Sequence, residues 1–482
     1  MASHRPTHPA PHTASHAPSH ARRTSDRAAN NTASPQRIPA RTTALAPTPR
    51  AARADAPYVV YSTPDGDVGE RRALRAVDYA GQPLELADLI PLPEGAALSM
   101  LPQRLAVGLD AQGQRVTLPQ RQGWALAALP PIGYTRTRLP GYELASGSEP
   151  LPFFGYTAVA GWRGRLYAAV TPTDTPDRWL PSAYAPKTLE RLVRERLAAE
   201  PENRALAHHA HCALDYHCPT ASNLFFRRWE GAIAVSPGCN ARCVGCISKQ
   251  DEDNLVSPQD RLLFIPTVDE VVALGAAHLE QAEDAIYSFG QGCEGEPLLQ
   301  SRLIEQAIRA IRARTDRGTL NINTNGSNWR ALKRLYAAGL DSLRVSTISA
   351  RQPTYDAYYR PLGYTFEDVK RSLILAREAG VYSSINLLCF PGLIDAEDEI
   401  AALVAFLRET GVQLVQLRNL NIDPEVLLPR IPKPEGKPLG MRALIETLRR
   451  ETPEVVVGSF SRALRAATAP TPGPSPAAAG EG

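Results

Sequence analysis

From Gly231 onward the chain alternates between two textures. Short apolar runs, Ala232–Val235, Ile286–Phe289, Leu320–Asn323, Ser342–Thr347, Ser383–Leu388, Leu414–Arg418 and Val455–Val457, read as strands. Between them apolar residues recur at three- and four-residue spacing, over Val268–Glu283, Leu299–Arg314, Trp329–Ala338, Phe366–Ala379 and Glu397–Glu409, which predicts helices. Thr267 and Thr365 each precede an acid by three residues (Glu270 and Asp368), the mark of a capping box, and Gly339 and Gly380 stand where helices would stop. Repeated strand–helix units imply a parallel sheet with right-handed crossovers. About six units predict an α/β fold of the partial TIM barrel, (β/α)6 type, rather than a closed ring of eight.

The chain before Gly231 is patterned differently. Residues 56–185 show short strands such as Tyr58–Tyr61, Arg104–Gly108, Val116–Leu118, Tyr156–Ala160 and Arg165–Val170, broken often by proline; they predict a small β-rich domain. Leu189, Leu192, Val193 and Leu197 predict one helix over about Pro186–Ala210, within a connector of residues 186–230. Residues 231–465 form the expected barrel. Residues 1–55 have almost no large apolar side chain, and 466–482 are rich in Ala, Pro and Gly; both read as disordered. His4, His8, His12, His16 and His20 are spaced by four, but Pro6, Pro9, Pro11 and Pro18 forbid the helix that would align them.

Composition adds exclusions. Of 482 residues, 43% are hydrophobic and 21% charged, the mix of a globular protein. The net charge of +3 comes from an Arg-rich arm, so a nucleic-acid-binding surface is not indicated for the folded part. No apolar run approaches the roughly 18 residues of a membrane helix, and no hydrophobic signal core opens the chain. Seven cysteines, an odd number clustered mid-chain, look like thiols kept reduced for metal; a cytoplasmic location is expected.

Three of these, Cys239, Cys243 and Cys246, are spaced C-x3-C-x2-C on the loop after the first barrel strand. Three thiolates on one short loop suit three corners of a 4Fe-4S cubane and leave the fourth iron open. Zinc is the alternative, but structural zinc usually shows paired C-x2-C knuckles and four ligands. Cys212 and Cys218, near His208, His209, His211 and His217, form a second candidate site for zinc or an auxiliary Fe-S cluster, which Cys293 or Cys389 could complete. The plainer alternative is that these four are small buried hydrophobes.

The pattern resembles the radical SAM superfamily, whose signature is C-x3-C-x2-C at this place on a partial barrel. Gly295-Glu296-Pro297, one strand later, matches the segment that in the family binds the amino group of S-adenosyl-L-methionine (SAM); Glu294 stands where the family has a further glycine. Pro297 fixes the backbone there, and carbonyls at its edge can accept from an ammonium. The resemblance also implies cofactor contacts from Asn325, ending the third strand, and from Ser346 on the fourth. Arg344 alternates with Ser346 and shares its face: turned inward it wants an anion, turned outward a helix-borne acid. Gly245 departs from the family, which usually has an aromatic there against adenine.

What the resemblance implies is reductive cleavage of SAM to a 5′-deoxyadenosyl radical, which abstracts hydrogen from an unidentified substrate, with an electron donor such as flavodoxin or ferredoxin. Cys293 is the candidate to act on a substrate radical. Tyr359 and Arg360 on one loop, and Arg418, Asn419, Asn421 and Asp423 on another, are candidate substrate contacts by position at the strand ends. The competing class is a non-catalytic iron–sulfur or zinc binding module, which would hold metal without cleaving SAM.

Overall fold

The computed structural model describes residues 37–38, 56–175, 177–250 and 255–465. Seven parallel strands form one curled sheet in sequence order: Arg228–Ile233, Glu283–Phe289, Thr319–Thr324, Ser342–Thr347, Tyr382–Cys389, Leu414–Asn419 and Val456–Gly458. This is the half barrel that the alternation predicts. Its helices run close to their expected bounds: Val268–Gln281, Ser301–Arg314, Trp329–Ala338, Phe366–Glu378 and Glu397–Thr410. Thr267 and Thr365 both close capping boxes, with Glu270 and Asp368. Gly339 ends its helix at φ +110°, a conformation that costs other residues more.

Two expectations need correction. The single helix over 186–210 is two, Pro186–Ala199 and Arg204–Leu214, because Pro201 cannot continue the first and the Asn203 side chain caps the second by accepting from the Leu206 N–H. A third helix, Pro219–Phe226, follows. The first barrel strand also begins earlier than Ala232 and leaves the sheet after Ile233. Past that point side chains take the backbone donors: the Ala234 N–H goes to His209 Nε2 (3.1 Å), and those of Val235 and Ser236 to the Glu294 carboxylate.

The β-rich region comprises an eleven-stranded antiparallel sheet and a two-stranded one, Tyr134–Arg136 with Val170–Pro172; the larger counts Arg37–Ile38, from inside the expected arm, paired with Ser99 and Leu98, and the rest of the arm, its five histidines and the tail lie outside the described residues. Expected strands appear as Tyr58–Ser62, Arg104–Leu109, Arg115–Thr117 and Thr157–Trp162, and the expected run Arg165–Val170 divides into Arg165–Ala168 and Val170–Pro172.

This sheet region is bolted to the barrel through the loop that leaves the sixth strand. Arg104 and Asp423 form an ion pair of 2.6 Å with side chains 1% and 0% exposed. Asp423 also accepts from the Leu151 N–H (2.7 Å). The Arg136 guanidinium is buried among the carbonyls of Phe154, Tyr156, Cys389 and Leu420, and burial lowers its pKa to about 9. Asn419 donates to Tyr134 O and accepts from Arg136 N.

Candidate active site

At the C-terminal mouth of the half barrel lies a cavity of about 720 Å³. Cys239, Cys243 and Cys246 all line it, as do Gly295, Glu296, Pro297, Asn325, Arg344 and Ser346. The cysteine loop has little regular structure, and its backbone is held from outside. Arg242 N and Val244 N donate to Tyr359 O and Tyr358 O (2.9 Å each), and Leu362 N donates to Asn240 O. Those tyrosines end a helix, Gln352–Tyr359, that the sequence pattern did not predict.

Glu294, where the family's usual glycine is missing, has a structural task. One carboxylate oxygen accepts from Val235 N and Ser236 N (2.8 Å each), the other from Gln291 N (2.9 Å). Burial pushes its pKa up to about 8, against the pull of those donors. Backbone bonds add to the joint: Gly295 N donates to Ser236 O (2.7 Å) and Glu296 N to Gly238 O (2.8 Å). Contact is so close that a Cβ on Gly295 would lie 1.9 Å from the Gly238 oxygen. The Glu296 side chain turns the other way, accepting from Leu298 N, Thr324 Oγ1 and Asn325 N, and burial raises its pKa to about 7. Asn325 donates to Asn240 Oδ1 (2.8 Å) and accepts from Ser327 N, so its amide is spent on the cysteine loop. Three loops are thereby fixed to one another.

The thiols suit a cluster. Burial, then the nearby Cys246 and Cys239 sulfurs, raise the Cys243 pKa well above that of a free thiol, and burial raises that of Cys239. Such thiols want a cation, and three converge on one open cavity. Arg261 Nη2 lies 3.3 Å from Cys246 Sγ, a neighbour with no signal in the sequence. At Gly245 the φ is +63°, and an added Cβ would lie 2.2 Å from Ile422 Cδ1. The place of the family's aromatic is therefore occupied by Ile422, a side chain from the sixth strand's exit loop.

Arg344 faces inward and finds its anion inside the barrel: Nη1 lies 3.2 Å from Glu230 Oε1, on the first strand, and Nη2 donates to Ser461. Arg418 lines the same cavity, with Gln416 Oε1 (3.1 Å) as its hydrogen-bond partner, and burial lowers its pKa to about 10. Tyr359, Asn419 and Asn421 line the cavity as well, and the buried Tyr359 hydroxyl has no hydrogen-bond partner. Asp423 and Arg360 do not line it. Asp423 is consumed by Arg104 and Leu151 N, and Arg360 caps its helix at φ 44° with Nε donating to Arg242 O (2.5 Å). The β-rich region supplies what sequence reasoning missed, a wall that includes Pro131, Ile132, Tyr134 and Phe153.

The residues of the candidate second site assemble differently from expectation. The donor atoms of His208, Cys212 and Cys293 lie within 4.8 Å of one another, whereas Cys218 falls outside that group with Sγ 3.2 Å from Thr220 Oγ1. Cys389 keeps to the end of the fifth strand, its thiol donating to Leu387 O.

Residues 233–404 match the family model described as the radical SAM superfamily. The chain carries a radical SAM domain. No curated protein matches the chain. Among solved structures it is similar to the radical S-adenosylmethionine methyltransferase TsrM from Kitasatospora setae, with cobalamin and a [4Fe-4S] cluster bound, at 20% identity over 42% of this chain and 37% of that one (TM-score 0.32). It is also similar to Streptococcus suis SuiB bound to precursor peptide SuiA, at 15% identity over 54% and 53% (TM-score 0.34), and to HydG, a maturase of the [FeFe]-hydrogenase, at 15% over 57% and 63% (TM-score 0.35). The chain thus spans less than two thirds of each. No helix among the described residues is long and apolar enough to cross a membrane.

Proposed function

We propose that this chain binds a 4Fe-4S cluster on Cys239, Cys243 and Cys246 and SAM beside it, and abstracts hydrogen from a small substrate in the shared cavity. The observation that carries the reading is convergence: the three thiols, the Gly295–Pro297 segment and the ends of the third and fourth strands line one space of about 720 Å³. When bound and reduced by an external donor such as flavodoxin or ferredoxin, the cluster and SAM supply a 5′-deoxyadenosyl radical. The chain's own residues bind, orient and exclude water. Glu294 holds the SAM-binding segment to the start of the cysteine loop, and Glu296 holds it to the end of the third strand. Ser346 lines the cavity at the fourth strand's end, and Arg344 is already neutralised by Glu230. Arg418 shares the field of Glu230 with Arg344, two guanidinium groups to one carboxylate, so its guanidinium suits an anionic group on the substrate. The Tyr359 hydroxyl offers one further polar contact.

The test is anaerobic reconstitution, then dithionite and SAM with detection of 5′-deoxyadenosine. Wild type is expected to form it and Cys243→Ala to form none. A full cluster with no SAM cleavage in wild type, with or without a screen of anionic metabolites, would favour the non-catalytic metal-binding module.

A further inference from the structure

We propose that His208, Cys212 and Cys293 bind a single zinc ion that ties the connector to the SAM-binding segment. His208 and Cys212 are four residues apart on the helix Arg204–Leu214 and so share a face, with His208 Nε2 3.8 Å from Cys212 Sγ. Cys293 reaches them from the loop after the second barrel strand. The three donor atoms lie within 4.8 Å of one another, and both cysteines are buried, 2% and 6% exposed.

The spacing selects the kind of metal. Zinc bonds of about 2.3 Å to sulfur and 2.0 Å to nitrogen set tetrahedral donors roughly 3.5–3.8 Å apart. A contraction of roughly an ångström from the observed group reaches that. A cubane distributes its thiolates over separate irons and needs them spread farther, as a second cluster would. One nitrogen and two thiolates are a zinc donor set, with the fourth position left to water. Binding displaces the two thiol protons to solvent, and the site changes no oxidation state.

Placement gives the ion its effect. Cys293 is two residues from Gly295, and Glu294 between them holds the start of the cysteine loop by two backbone donors, Val235 N and Ser236 N. Zinc would fix the near end of that segment to a helix whose His209 already takes the Ala234 N–H.

The experiment uses the full chain in two forms, wild type and the Cys239→Ala/Cys243→Ala/Cys246→Ala variant, counting zinc and iron together and then replacing zinc by Co²⁺. One zinc per chain in both forms is expected, with visible absorption from tetrahedral cobalt, and an affinity at least about tenfold weaker in His208→Ala. Zinc readout in the variant without cluster cysteines is independent of SAM cleavage, so this proposal and the radical reading fail separately. Absence of zinc from wild type, iron in its place, or an intact Cys212–Cys293 disulfide in zinc-supplied protein would overturn it.

Discussion

Replacing Asp423 by alanine removes the anion from a pair whose two side chains are 1% and 0% exposed. Arg104 then keeps one carbonyl partner, Pro102 O at 3.0 Å, and the Leu151 and Glu425 N–H groups lose their acceptor. Breaking a buried pair from one side costs about 3–5 kcal/mol, because the remaining charge stays out of water. An orphaned backbone donor adds about 1 kcal/mol or more, not fully additively. We therefore expect a loss of about 4 kcal/mol in Asp423→Ala, read as a fall in the urea midpoint of the purified chain. Arg104→Met/Asp423→Leu, which removes both charges and fills the space, should recover most of it. A single variant within about 1 kcal/mol of wild type, or a double variant no better than the single, would refute the account of this joint.

Gly295→Ala places a Cβ 1.9 Å from the Gly238 oxygen, so it should weaken SAM binding by roughly tenfold or more while the iron count stays at wild type; calorimetric titration of the reconstituted protein checks it. His278 is buried, donates Nε2–H to Trp229 O, and has its pKa lowered by burial to about 4. Its unfolded counterpart protonates near 6.5, so the stability it contributes is present above that pH and is lost as pH falls from about 6.5 to 4, by roughly 3 kcal/mol in all. Wild type should therefore lose more stability than His278→Phe across that interval in denaturant midpoints, and equal slopes would be contrary evidence.

The barrel was legible because its signal is local. Period and capping are written in neighbouring residues, so Thr267, Thr365 and Gly339 could be placed from sequence. The convergence of Cys239, Cys243 and Cys246 on one cavity was legible for the same reason: all three sit on one short loop. What escaped depends on contacts between distant segments. Asp423 looked like a substrate contact because it follows a strand end, but its partner Arg104 is more than three hundred residues away. Cys218 looked like the mate of Cys212 because they are near in sequence, while Cys293 is the one brought near in space. Glu294 appeared as a lost glycine, since the three backbone N–H groups that donate to its carboxylate leave no trace in composition. The cavity wall from Pro131 to Phe153 belongs to a region without any catalytic motif.

The buried Arg136 among barrel carbonyls has a consequence for descent. Its partners on the barrel side, Leu420 O and Cys389 O, are backbone atoms, which no substitution can delete. Loss of the β-rich region would take the Arg136 donor from Leu420 O and both donors from Asp423 Oδ2, while Cys389 O would keep Leu420 N and Asp423 Oδ1 would keep Glu425 N. Variation in one half is therefore constrained by the other, and exchange of the β-rich region between related barrels would have to carry the sixth strand's exit loop with it. The two would be inherited as a single module.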